Sequence, residues 1–131
     1  MTWEARHISQ PIEREPGAVA AFAGDPANLP LWAAGLSSGI RLEAGRWVTD
    51  SPMGTVEVAF VGPVEAGVLD HDVTLPDGVV VHNPLRVLRN DRGSEVVFTL
   101  YRQPGMPEED FEADSALIRA DLAKLRGLLE S

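Results

Sequence analysis

The sequence contains no cysteine, so disulfide frameworks and thiolate zinc sites are excluded. It is poor in positive charge: 11 basic against 20 acidic side chains give a net charge of −9. That balance argues against nucleic acid, where basic patches must meet phosphates, and against anionic membrane surfaces. For the protein itself it favours solubility. No apolar run is long enough to span a bilayer. The start, Met1-Thr2-Trp3-Glu4, lacks the basic-then-apolar pattern of a signal peptide. The expectation is therefore a cytoplasmic protein with no nucleic-acid partner and no membrane insertion. There is no internal repeat, no glycine-rich phosphate loop and no Ser-His-Asp signature in a suitable context. Asp70, Asp72 and His82 do not converge with His7 or His71 at ligand spacing, so no metal and no cofactor is expected.

What is present is one informative stretch, Val68 to Val87. Pro76-Asp77-Gly78 is a turn: proline presets the first central φ, aspartate suits the second, and glycine takes the left-handed position of a bulged hairpin loop. Leu75 then faces Val79, and the pairs outward are Val73 with Val81, His71 with Asn83, and Leu69 with Leu85. Alternation places these four pairs on one face, apolar except for the His71–Asn83 row. The other face carries Thr74 with Val80, Asp72 with His82, and Asp70 with Pro84. A slip of one residue would mix the faces, which fixes the register.

The remaining elements follow from periodicity and punctuation. Thr2 to Gln10 reads as a first strand. A short helix runs from Glu15-Pro16-Gly17 to Phe22, and a second carries Leu31, Trp32 and Leu36. Ile40–Glu43 and Arg46–Asp50 flank an Ala44-Gly45 hairpin turn, and Thr55 to Phe60 alternates as a half-buried strand. Asn90-Asp91-Arg92-Gly93 turns the chain into Ser94–Arg102, pairing Leu85 with Phe98. The last segment, Pro107 to Glu130, opens with Glu108, Glu109 and Asp110, acids that suit a helix start. Its stripe is Phe111, Ser115, Ile118, Leu122, Leu125 and Leu129, one face of an α-helix. The predicted architecture is a single α+β domain over residues 1–131, a curved antiparallel sheet around a long C-terminal helix, with two short helices after the first strand.

This order of elements resembles the helix-grip fold of the SRPBCC superfamily, which includes lipid-transfer START domains, birch-pollen-allergen-like proteins, and polyketide cyclases and dehydrases. Asp25-Pro-Ala-Asn-Leu-Pro-Leu-Trp32, Gly67-Val-Leu-Asp-His-Asp-Val73, Asn83-Pro-Leu-Arg-Val87 and Gly93-Ser-Glu-Val-Val-Phe-Thr99 resemble segments of a small, uncharacterised bacterial subfamily. The resemblance spans the chain and carries no shared catalytic motif. It implies an internal apolar pocket for a small hydrophobic or amphipathic molecule, which some members transform and many only bind.

His71 is the candidate catalytic base, because a buried neutral imidazole suits proton transfer; the alternative is a core histidine bonded to Asn83. Asn83 either holds a ligand carbonyl through its amide or fixes the His71 tautomer. Trp32 and Trp47 either line the cavity or pack the core. Ser115 either hydrogen-bonds a ligand or bonds back to its own helix. Phe98, Leu100 and Ile118 complete the ligand-binding set, and Arg86 falls on the outer face. Three functions compete: binding of a small hydrophobic molecule; a cyclase-, dehydratase- or isomerase-like enzyme using His71; and a homodimeric interaction module using outer-face residues such as Val80, Val97 and Tyr101.

Overall fold

A computed structural model describes residues 1–36, 38–52 and 54–131. The chain runs β1 (Ala5–Ile12), α1 (Pro16–Ala23), α2 (Leu29–Trp32), β2 (Arg41–Glu43), β3 (Arg46–Ser51), β4 (Gly54–Phe60), β5 (His71–Thr74), β6 (Val80–Asn83), β7 (Leu85–Asn90), β8 (Gly93–Tyr101) and α3 (Glu108–Glu130). All strand pairings are antiparallel. The ladders form two groups, β1-β8-β7 and β2-β3-β4-β5-β6. Together they are a curved antiparallel sheet of eight strands, and α3 packs across it against β1 and β8.

The β5–β6 hairpin adopts the expected register, with His71 opposite Asn83 and Val73 opposite Val81. Leu75 donates its N–H to Val79 O at 2.9 Å, and Gly78 has φ +88°. The pairing continues past the hairpin: Val68 bridges Arg86, and Leu69 N–H donates to Leu85 O at 2.8 Å. This joins the two ladder groups on either side of Pro84, which has no N–H to offer a ladder. Gly67 sits at the seam with φ +82°, and a Cβ there would lie 2.5 Å from Val87 O. The junction needs glycine for both reasons.

β1 ends at Ile12, two residues beyond the expected end at Gln10. Pro11 is tolerated because β1 is an edge strand bonded only to β8. The α3 stripe is as expected: Phe111, Ser115, Leu122, Leu125 and Leu129 are buried, with Ile118 half-buried. Leu122, Leu125 and Leu129 join Ile8, Ile12, Val19, Leu69, Leu85 and Val96 in one core cluster. No helix of the described residues is long and apolar enough to cross a membrane.

Two outer-face expectations need correction. Asp70 is not a solvated neighbour of the Asp72–His82 pair. It is only 8% exposed, and its carboxylate accepts from Leu85 N–H at 3.0 Å and from Arg86 Nε and Nη2 at 2.9 and 2.8 Å. Of the outer apolar trio, Val80 is exposed, but Val97 is half-buried and Tyr101 faces the interior cavity described below. The Asp72–His82 pair is on the surface, at 2.6 Å.

Candidate functional site

The core cluster does not fill the space between the sheet and α3. A cavity of about 490 Å³ remains, bounded by β3 to β6, β8, α2 and the middle of α3. Its walls are mostly apolar: Val56, Val58, Val73, Phe98, Leu100 and Ile118 are typical. This volume is in the range of about 300–1,000 Å³ usual for small-molecule sites.

His71 and Asn83 both line this space. Phe60 on β4 and Asn83 on β6 flank His71 in the sheet. Its ring lies between two others, 5.5 Å from the Phe60 centroid and 6.2 Å from that of Phe98. His71 Nδ1 is 3.0 Å from Leu69 O. A carbonyl only accepts, so Nδ1 carries the proton and Nε2 is a free lone pair. Nε2 has no hydrogen-bond partner among the described residues. Burial pushes the pKa of His71 down, against the smaller opposing effect of the Leu69 carbonyl. The ring is therefore neutral around pH 7, an acceptor facing an apolar space.

Asn83 fills neither role expected of it. Its amide Nδ2 donates to Val81 O at 3.1 Å and reaches His71 O at 3.5 Å. Those donors are occupied by the backbone, and the His71 tautomer is set by Leu69. What Asn83 leaves without a partner is its side-chain oxygen, a second acceptor. Trp32 lines the cavity and is 5% exposed. Its indole Nε1 is the one buried side-chain polar atom without a partner among the described residues.

Phe98, Leu100 and Ile118 share the cavity with His71, Asn83 and Trp32, whereas Trp47 and Ser115 do not line it. Trp47 is half-buried opposite Leu42 and Val58, two residues along β3 from the lining residue Thr49. Ser115 is 1% exposed and accepts from Arg6 Nη1 at 3.2 Å. Arg6 also stacks 4.6 Å above the Phe111 ring and pairs with Glu112 at 2.8 Å. The first turns of α3 are thus committed to β1, and only from Asp114 onward does the helix face the cavity. Neither alternative foreseen for Ser115 holds, because its partner is a side chain on another element.

Two acids on the cavity wall were not singled out from the sequence. Asp114 and Asp121 both line it from α3, half-buried. Burial raises both pKa values, aided at Asp114 by the nearby Asp110. They sit one position before Ser115 and Leu122, so the apolar stripe brings them to the rim; that adjacency was the available signal.

The depressed His71 pKa has a measurable consequence. Between that lowered value and the ordinary value of about 6.5, the unfolded chain binds more protons than the folded one, so stability falls as pH drops through this window. Urea midpoints at pH 7.5 and 5.5 should show a larger acid-side loss for the wild type than for His71→Gln. Equal losses would mean that the ring is not held neutral by burial.

No family model matches the chain, and no curated protein matches it by sequence. Solved structures do match in fold. XoxI from Bacillus cereus has a TM-score of 0.73 at 14% identity, over 97% of this chain and 96% of that one. Ara h 8.0201 has a TM-score of 0.65 at 14% identity, over 96% and 97%. DynU16, a protein in the dynemicin biosynthetic locus, has a TM-score of 0.70 at 17% identity, over 97% of this chain and 47% of its own. At these identities the likeness is one of fold.

Proposed function

We propose that this chain is a single helix-grip unit of the SRPBCC kind that binds a small, largely apolar molecule between the sheet and α3. The observation that carries the reading is the open cavity of about 490 Å³ in a chain of 131 residues, bordered by an otherwise well-buried core. Interiors normally pack with few voids larger than a water molecule, so an apolar space of this size is a feature that needs an occupant. The likeness in fold to Ara h 8.0201 and DynU16 supports the superfamily placement. Displacement of the neutral fluorophore N-phenyl-1-naphthylamine by a panel of hydrophobic molecules tests it. Saturable binding at one site per chain is expected, and failure of the whole panel, probe included, would sink the reading.

A second reading is favoured by His71. A neutral imidazole with an unpartnered Nε2 on an apolar cavity wall is placed to take a proton from an enolisable ligand, as in cyclase-, dehydratase- or isomerase-like chemistry. With such a substrate, His71→Ala should abolish turnover while leaving probe binding in place. The rate should hold level from pH 8 down past the ordinary histidine pKa of about 6.5 before falling, because the base is neutral there. Turnover that survives the substitution would remove His71 as the base.

A further inference from the structure

We infer that the molecule taken by this cavity is a hydrophobic amine: an apolar body with a cationic nitrogen at the α3 rim. The inference rests on the binding reading above and adds the polarity of the ligand. Every ionised side chain on the cavity wall is an acid. Asp114 and Asp121 line it, and no lysine or arginine does. They lie seven residues apart on α3, about 10 Å along its axis and on the same face. Asp121 is held in place by Ala34 N–H, which donates to its Oδ1 at 3.1 Å. Asp114 has no hydrogen-bond partner among the described residues. Lys124 lies close enough to influence Asp121 but stands outside the cavity.

Two of the neutral polar groups on the wall add acceptors. His71 offers a lone pair at Nε2, and Asn83 offers its side-chain oxygen, its N–H groups being bonded to the backbone. Thr49 also lines the wall, but its hydroxyl is engaged with Gly39 O at 2.6 Å. The wall also carries a donor without a partner, the indole Nε1 of Trp32, which is neutral and does not select by charge; what separates an amine from an anion is the negative charge of Asp114 and Asp121. A carboxylate, sulfate or phosphate ligand would meet two partly desolvated acids with no cation on the cavity wall to pair with. An ammonium meets those acids as charge-assisted hydrogen bonds, and its N–H donors suit the acceptors.

The test compares molecules that share one tail. Dodecylamine, dodecanol and dodecanoate, each below its micelle concentration in low salt, compete with N-phenyl-1-naphthylamine. Dodecylamine should bind at least about tenfold more tightly than dodecanoate, with dodecanol between them. In the double variant Asp114→Asn, Asp121→Asn that gap should shrink to less than about threefold, with dodecanol affinity kept. The double variant Glu15→Gln, Glu65→Gln removes the same charge from exposed sites away from the cavity and should keep the full gap. Dodecanoate binding as tightly as the amine would overturn the inference. So would a gap that survives Asp114→Asn, Asp121→Asn, or one that disappears equally in the Glu15, Glu65 variant. If dodecanol and the probe also fail to bind wild type, the cavity reading itself is wrong. If the paired asparagine variant loses dodecanol binding, the single variants are compared, and neither narrowing the gap overturns the inference.

Discussion

Val73→Trp should abolish ligand binding without unfolding the protein. Val73 sits in the middle of the sheet wall, opposite Val58 on one side and Val81 on the other, and all three line the cavity. An indole at this position projects into unoccupied space. In a filled core, an increase in side-chain volume costs about 1–3 kcal/mol because neighbours must move. Here the new ring gains contacts instead, so the melting temperature should hold or rise. Binding of the fluorophore should weaken at least 100-fold, which is about 2.7 kcal/mol. Leu69→Trp is the contrasting variant: Leu69 is fully buried in the packed cluster, and the same ring there should destabilise strongly. Titration of the probe with thermal melts on both variants checks the pair. A Val73→Trp protein that binds normally would mean the ligand lies elsewhere, and Ile118→Trp, entering from the helix side, guards against a sheet-specific failure to fold.

Which parts of this arrangement the sequence discloses follows from the range of the interactions involved. The β5–β6 register was legible because it depends on local turn chemistry and on two-residue alternation, both written between Val68 and Val87. The same pairing, carried outward, reaches the Val68–Arg86 bridge, and Leu85 meets Phe98 as expected. The α3 stripe was legible for a similar reason, since 3.6-residue spacing needs no knowledge of the partner. The partners of individual polar atoms were not. The His71 ring bonds to the carbonyl of Leu69, and no side-chain pattern encodes a backbone acceptor. Ser115 looked like an inward hydroxyl, yet its partner Arg6 is 109 residues away on β1. Trp47 shares a strand with the lining residue Thr49, but where the cavity ends along β3 depends on how α2 and α3 cover the sheet. Asp114 and Asp121 read as solvated neighbours of the stripe until the helix is docked with its edge over the opening.

Asp70 shows the same limit in energetic form, and its removal should be the most destabilising polar substitution in the chain. On an alternating strand it looks like a surface acid. At the seam beside Pro84, however, its carboxylate accepts from the Leu85 amide at 3.0 Å and closes a two-point contact with Arg86. Leu85 is fully buried, so its N–H has no water to turn to if the carboxylate is lost. A buried donor left unpaired costs about 1–3 kcal/mol, and Asp70→Ala should lie at the upper end, about 2–3 kcal/mol, because the acceptor is ionised. Arg86 is half exposed, so its own replacement by glutamine should cost clearly less. The pH dependence follows from the direction of the shift. The hydrogen bond from Arg86, then that from Leu85, holds the Asp70 carboxyl below the ordinary aspartate range, against the opposing effect of burial. Its contribution is therefore complete above the unfolded value of about 3.9 and fades as pH falls through the lower folded value. Urea unfolding of wild type and Asp70→Asn should differ at pH 7, and the gap should narrow as pH falls below the unfolded value of about 3.9. A gap of less than about 0.5 kcal/mol between Asp70→Ala and wild type at pH 7 would place Asp70 among ordinary surface acids. A large gap would identify the Asp70–Leu85–Arg86 contact as what holds β5 to β7 where the proline interrupts the ladder, and with it the sheet curvature that leaves the cavity open.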